Sequence, residues 1–322
     1  MSNPVTAVFP PSVTGRLGAV EQRLVEQARS RDASLQAWSH QAVAAGGKRI
    51  RPLLLLTAFE ACGGDLLGPE ANAQAIDAAV ALELVHTASL VHDDIMDEAA
   101  ERRGQPSIYK AHGRDSAILV GDFLFTQAFS LAATLPKDAM AMTADACRRL
   151  CEGQLREQQV LAARVPDREG YIAVIRDKTA SLLAAGCGIG ATMARARPAT
   201  VQALHRYGEL IGHAFQVLDD LLDVSGDPQW TGKPAGTDYL AGTLSSPYLN
   251  FLERGGRLPA AREPEDFARV RAELLESGAV AASQLEASGY TQAALLELQG
   301  LADTPARRSL EALAELLMER AA

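Results

Sequence analysis

Six aspartates in two clusters dominate the chemistry this chain could perform. Asp93-Asp94-x-x-Asp97 and Asp219-Asp220-x-x-Asp223 each end a long apolar run. On a helix, residues i and i+4 share one face about 6 Å apart along the axis. Asp93 and Asp97 would therefore bring two carboxylates together, and like charges at that spacing destabilise a helix. A cation between them relieves the repulsion, and hard oxygen ligands suit magnesium, with manganese as the alternative ion. If the two clusters face each other across a cavity, they would bind two or three such ions. Those ions would grip a strongly anionic group such as diphosphate.

The basic residues are grouped as well. Lys48, Arg49 and Arg51 follow Gly46-Gly47, and Arg102 and Arg103 follow the first aspartate cluster. Arginine offers a planar fork to phosphate oxygens and lysine a compact charge, so these residues read as anion subsites that need no metal. His86 lies seven residues before Asp93, two helical turns back on the same face. Lys178 and Thr179 interrupt a helical apolar pattern, where a lysine either snorkels to solvent or meets an anion. The residues leading into Asp93 are mostly Ala, Leu, Val and Ser, so the pocket would be charged at its mouth and apolar below. Metal-assisted loss of diphosphate from an allylic chain fits that combination. Glu83-x-x-His86 also has the spacing of a di-iron ligand pair, but such bundles need the pattern twice. His213 follows Glu209 by four, and both clusters carry Asp instead of Glu.

The elements that must position these groups are helices. Apolar residues make up 48% of the chain and aromatics 5%, with Ala and Leu abundant, which favours helix over sheet. Helical spacing predicts a helix from 16 to 45 ended by Gly46-Gly47, and a new start at Pro52. Further helices are expected over 71–97, 116–136, 137–163 and 199–224, then 239–255, 264–288, 291–300 and 306–321. Gly121-Asp122 falls inside an apolar run and calls for a partner. Residues 1–15 read as a flexible arm and 16–322 as one all-helical domain, with no linker or repeat. No spanning helix or signal peptide is expected. The four cysteines lack metal-ligand spacing and read as reduced thiols, hence a cytoplasmic location. A net charge of −9, from 40 acidic and 31 basic residues, argues against a nucleic-acid binder.

The chain resembles the trans-isoprenyl diphosphate synthases. The matching pieces are GGKRIRP (46–52), HTASLVHDDIMDEAAERRG (86–104), GD (121–122), EGQ (152–154), KTA (178–180), FQVLDD (215–220) and GKPAGTD (232–238), in the family's order. The resemblance implies an all-helical fold around a deep cavity, a homodimer, and head-to-tail condensation of isopentenyl diphosphate with an allylic diphosphate. It implies Asp93, Asp97 and Asp219 as direct magnesium ligands, with Asp94, Asp220 and Asp223 supporting them. Arg102, Lys178 and Lys233 would contact the allylic diphosphate. Lys48, Arg51, His86 and Arg103 would form the isopentenyl diphosphate subsite, with Arg49 beside it. Thr179 and Gln216 would lie near the reacting carbons, and Phe215 near the tail. One departure is Thr243, where short-chain members often carry a lysine.

In that family, bulk on the helix bearing the first cluster sets product length. Ala88 and Ser89, the fifth and fourth residues before Asp93, are small, Val85 is modest, and the cluster has no insertion. The expected product is longer than twenty carbons, in the range used for quinone side chains, with a geranylgeranyl diphosphate synthase as the alternative. A terpene cyclase would need no second diphosphate site. A non-catalytic subunit of a heteromeric synthase should have lost several aspartates.

Overall fold

The computed structural model describes residues 7–163, 165–225 and 235–321, and nearly all of its ordered elements are helices. They are α1 (Pro11–Gln27), α2 (Ala33–Ala44), α3 (Ile50–Ala61), α4 (Pro69–Met96), α5 (Ile108–His112), α6 (Arg114–Ala132), α7 (Lys137–Ala163) and α8 (Arg168–Val174). There follow a π turn (Ile175–Ala180), α9 (Ser181–Met193), α10 (Pro198–Ser225), α11 (Thr237–Ala241), α12 (Ser246–Glu253), α13 (Phe267–Glu276), α14 (Ala279–Glu297) and α15 (Pro305–Ala321). The strands β1 (Glu101–Arg102) and β2 (Gln105–Pro106) form one short antiparallel hairpin.

Contacts partition the chain into two compact units, a finer division than the single domain expected. Unit 1 comprises Met1–Cys147, Ala185–His205 and Gly300–Leu310. Its centre is α4, whose residues Ala78 to Val85 are all buried. By length and composition α4 could cross a membrane, yet 72% of its most apolar window is buried, as in a core helix. It packs against α1, α3 and α6, and Leu53 to Leu56 of α3 are wholly buried.

The N-terminal expectations need correction. Helix α1 already starts at Pro11, and Phe9 and Val13 are buried, so the described part of the supposed arm belongs to the fold. The helix expected over 16–45 is two helices. Asp32 caps α2 by accepting the Leu35 N–H at 2.8 Å, which starts a fresh helix where simple periodicity reads straight through.

Unit 2 comprises Arg148–Ala184, Arg206–Gln299 and Glu311–Ala322. Gly208 and Gly212 lie one turn apart on α10. A Cβ at Gly208 would stand 2.5 Å from the Leu183 carbonyl oxygen, and one at Gly212 2.5 Å from Ala180. Only glycine permits this approach, and the same face continues one turn on to Gln216. Beyond α10 the expected 239–255 helix divides into α11 and α12, with Gly242 left-handed between them (φ 83°). Gly278 (φ 74°) separates α13 from α14, which then runs unbroken through 288–291.

Candidate active site

In unit 1 the first aspartate cluster ends α4, and Asp97 is its C-terminal cap. Glu98 (φ 49°) then turns the chain into the hairpin, with Arg103 (φ 54°) at its bend. This reversal brings Arg102 back onto Asp94, with its Nε 2.8 Å from Oδ1. Asp94 is 2% exposed. Burial pushes its pKa up, the Arg102 hydrogen bond pulls it down, and the charge of Asp97 pushes it up again, for a net rise. Thus Arg102 and Asp94 hold each other. Asp93 is half-buried and Asp97 exposed.

The Gly-Gly-Lys-Arg turn is pinned by Arg49, which adopts the left-handed conformation (φ 49°) before α3. Its guanidinium donates to Glu21 on α1 at 2.6 and 3.0 Å, to Glu83 on α4 at 2.9 Å and to the Val43 carbonyl at 2.9 Å. Those donors are committed inward, so Arg49 is a structural pin and not the substrate contact grouped with its neighbours. Lys48 is exposed. The Arg51 Nε is buried with no hydrogen-bond partner among the described residues. Gly47 (φ 144°) lets the Arg103 guanidinium approach, for a Cβ there would meet it at 2.8 Å.

His86 shares this environment. Burial and then the charges of Arg51 and Arg103 push its pKa well below the ordinary value, so the imidazole is neutral. Burial also lowers the pKa of Arg51 and of Arg103, with Glu83 acting in the opposite direction on both. This is a cation cluster short of anions. Arg103 also lines a 420 Å³ cavity with Thr87, Leu90, Val91, Asp94 and Arg102. The chain-length positions do not line it. Val85 and Ala88 have no exposed surface, and Ser89 has 6%, with its hydroxyl donating to the His86 carbonyl at 2.8 Å. Asp122 is exposed, with an oxygen 3.7 Å from His92 Nε2.

In unit 2 Lys178 and Thr179 sit in the π turn, where one extra residue per turn widens the helix. Gly153 of the EGQ motif makes room for it, since a Cβ there would stand 2.6 Å from the Lys178 backbone nitrogen. Arg149 clasps the turn from the same helix, donating to the Arg176 carbonyl at 2.9 Å, to Asp177 at 3.1 Å and to Glu209 at 3.1 Å. Lys178 Nζ donates to Glu157 at 2.5 Å, so an incoming anion would compete with that carboxylate.

The Thr179 hydroxyl donates to Gln216 Oε1 at 3.0 Å, and Gln216 Nε2 donates to Asp220 Oδ1 at 3.0 Å. Asp220 Oδ2 also accepts from the Tyr171 hydroxyl at 2.5 Å and the Ser246 N–H at 3.2 Å. Burial nevertheless raises the Asp220 pKa to about 6. Burial and the nearby charges of Asp220 and Asp223 raise that of Asp238 to about 7. Asp223 accepts the Thr237 and Asp238 N–H groups at 3.0 and 3.1 Å, so it caps α11. Asp219 is exposed and Phe215 half-buried. Lys178, Thr179, Gln216, Asp220, Asp238 and Thr243 line a 260 Å³ cavity with apolar Val160, Val174 and Ile175. Lys233 lies outside the described residues.

Among the described residues no three His, Cys, Asp or Glu side chains converge to hold a metal by themselves. An ion would need additional oxygens, such as those of a diphosphate. Asp97 and Asp219 fit that role, because both are exposed and neither carboxylate meets a protein donor among the described residues. The di-iron alternative fails on geometry, since Glu83 is paired with Arg49 and Glu209 with Arg149. His213 stacks on Tyr290 at 4.8 Å instead. Sequence reasoning missed Glu83 as a counter-ion, although an acid inside an apolar helix was a signal. Nothing in the sequence flagged Tyr171, Glu157 or Ser246.

Comparison with known proteins follows the same pattern. Residues 32–265 match the family model described as polyprenyl synthetase. A short chain isoprenyl diphosphate synthase of Methanothermobacter thermautotrophicus is 36% identical, over 88% of this chain and 89% of its own. A nonaprenyl diphosphate synthase of Mycobacterium tuberculosis is 35% identical, over 98% and 95%. A crystal structure of a polyprenyl synthase from Caulobacter crescentus, complexed with calcium and isoprenyl diphosphate, superposes with a TM-score of 0.89. It is 32% identical and the match covers 100% of this chain and 99% of that one.

Proposed function

This chain belongs to the polyprenyl synthetase family of prenyltransferases, and from that premise we propose that it is a magnesium-dependent trans-polyprenyl diphosphate synthase. It would join isopentenyl diphosphate head to tail to an allylic diphosphate. The observation that carries this reading is the presence of two kinds of anion site. One would use the cations Lys48, Arg51 and Arg103 beside a neutral His86 and need no metal, while the other would rely on carboxylates that need a metal. A cyclase acting on one diphosphate would have no use for the first.

Asp93, Asp97 and Asp219 would hold the metal ions together with the allylic diphosphate. When bound, magnesium neutralises the charge that develops on the departing oxygen. The cation cluster would fix isopentenyl diphosphate without metal, so its double bond is presented to the carbon from which diphosphate leaves. Oxygens of Thr179 and Gln216 would face the resulting positive charge, and the apolar wall of Val160, Val174 and Ile175 would exclude water from it. The released diphosphate would take the final proton, which suits a site whose half-buried histidine is held neutral beside Arg51 and Arg103.

The product is proposed to exceed twenty carbons, supported by small Ala88 and Ser89 and by the near full-length match to a nonaprenyl synthase. Twenty carbons is the second reading, favoured by the complete burial of Val85 and Ala88. A homodimer is proposed too, and the exposed apolar Ile118, Leu119 and Phe129 of α6 support it. Cytoplasmic residence is proposed as well, supported by Cys62, Cys147, Cys151 and Cys187 being thiols and not disulfides. The test supplies isopentenyl diphosphate and magnesium with dimethylallyl, geranyl, farnesyl or geranylgeranyl diphosphate, and sizes the products by mass. Products beyond twenty carbons are expected. Products that stop at fifteen or twenty overturn the length, and no incorporation with any primer overturns the synthase reading in favour of a cyclase or a non-catalytic subunit.

A further inference from the structure

Asp220 stands out because protein donors already take three of the roughly four lone-pair positions a carboxylate has. Its two oxygens accept three protein hydrogen bonds, from Tyr171, Gln216 and Ser246, and the residue is 4% exposed. The neighbouring Asp219 is exposed. We propose that Asp220 is a positioning residue and not a magnesium ligand. With Tyr171 it fixes the orientation of the Gln216 amide and, through that amide, the hydroxyl of Thr179. The inference rests on the synthase reading above and deepens it.

The polarity of each group fixes the direction of each hydrogen bond. A carboxylate only accepts, so the end of the Gln216 amide that faces Asp220 must be the NH₂ donor. The reversed amide would set its oxygen against a buried anion. With Nε2 committed to Asp220, Oε1 is left to Thr179, and it accepts the hydroxyl proton at 3.0 Å. The threonine hydroxyl has a single proton. Once that proton points at Gln216, Thr179 can present only lone pairs to the cavity it lines. Lone pairs, not an O–H dipole of opposite sign, are what developing positive charge on carbon requires.

Tyr171 completes the device from α8. It is 8% exposed, and its hydroxyl proton points at Asp220 Oδ2. The Ser246 N–H, from the first turn of α12, meets the same oxygen. Two elements outside α10, α8 and α12, and one residue within it thus converge on a group that touches no reacting atom. Residues that act through a chain of this kind show non-additive substitutions, whereas independent contributors multiply.

The test compares Tyr171→Phe, Asp220→Asn, their combination, and Asp219→Asn. Binding of magnesium pyrophosphate is measured by calorimetry, and steady-state kinetics are taken across a magnesium titration. For Tyr171→Phe and Asp220→Asn we expect magnesium pyrophosphate affinity and the half-activating magnesium concentration within twofold of the wild type. Their kcat should fall at least tenfold with KM for both diphosphates little changed, and the double variant should be no slower than Asp220→Asn. Asp219→Asn should lose tenfold or more in magnesium pyrophosphate affinity. An Asp220→Asn protein that loses affinity as Asp219→Asn does overturns the relay alone, as does a multiplicative double variant. Tyr171→Phe removes one oxygen and keeps the ring, so it decides the matter if Asp220→Asn fails to fold. A folded wild-type protein that incorporates no isopentenyl diphosphate overturns the synthase reading, and the relay with it.

Discussion

Replacing Glu83 by glutamine should weaken the fold and tighten the anion site at once. Glu83 is 2% exposed, pairs with Arg49 at 2.9 Å, and acts electrostatically on Arg51 and Arg103 as well. Glutamine preserves the shape and one acceptor oxygen but removes the charge. Breaking a buried pair by neutralising one partner typically costs about 3–5 kcal/mol, because the other charge stays buried without its partner. Glu21 still neutralises part of Arg49, which places the expected loss at the lower end, about 3 kcal/mol. The same carboxylate repels any anion bound beside Arg51 and Arg103. At a nominal separation of ~7 Å and an effective dielectric constant of ~20, a unit charge is worth about 2 kcal/mol, so its removal should tighten pyrophosphate binding by roughly tenfold to thirtyfold. The assay is thermal unfolding with and without metal-free pyrophosphate, which stabilises by mass action. Glu83→Gln should melt lower in buffer and gain more from pyrophosphate than the wild type. An equal or smaller gain would refute the claim that this cluster is short of anions.

Three further substitutions probe other parts of the site. Gly153→Ala would drive a methyl group against the Lys178 backbone nitrogen at 2.6 Å, which cannot swing aside. It should cost about 1–3 kcal/mol in denaturant unfolding and slow turnover by displacing the π turn, and unchanged unfolding would show that the turn yields freely. Gly47→Ala meets only the mobile end of Arg103 but imposes φ 144° on a residue with a Cβ. Its stability loss should be about 1 kcal/mol, with KM rising for isopentenyl diphosphate more than for the allylic substrate. Burial lowers the pKa of His213 to about 4, so the unfolded chain binds more protons than the folded one between the ordinary histidine value and pH 4. Stability should therefore fall with acidification across that window, by about 2–3 kcal/mol from this residue. His213→Phe, which keeps an aromatic ring against Tyr290, should lose that share of the acid sensitivity in unfolding curves taken at pH 4 and 7.

Much of this site is legible in residue types, and what is not depends on tertiary direction. The aspartate clusters, the Gly-Gly turn and the helices α7 and α10 can be read because carboxylates, glycines and apolar spacing carry their own physical meaning. The π turn cannot, since Ile172, Ile175, Thr179, Leu182 and Leu183 fit α-helical spacing well enough that one extra residue leaves no mark. Arg49 cannot be told from Lys48 and Arg51 by spacing alone. A left-handed backbone at Arg49, held by Glu21 and Glu83 from two other helices, turns it inward while Lys48 stays exposed. Likewise Asp223 belongs by sequence with the supporting metal ligands, but the backbone N–H groups of Thr237 and Asp238, fourteen and fifteen residues on, make it a helix cap.

The two clusters share a logic that follows from helix geometry. Adjacent residues on a helix point about 100° apart, so two successive aspartates cannot both face one cavity. In each cluster it is the second that turns inward, with Asp94 2% and Asp220 4% exposed. A buried carboxylate must find donors or become protonated. Asp94 finds Arg102, brought back by the hairpin, and Asp220 finds Tyr171, Gln216 and Ser246. Those donors lock the rotation of the helix end about its own axis, which in turn aims the first aspartate outward. On the proposed reading, the doubled aspartate is one residue for chemistry and one for register.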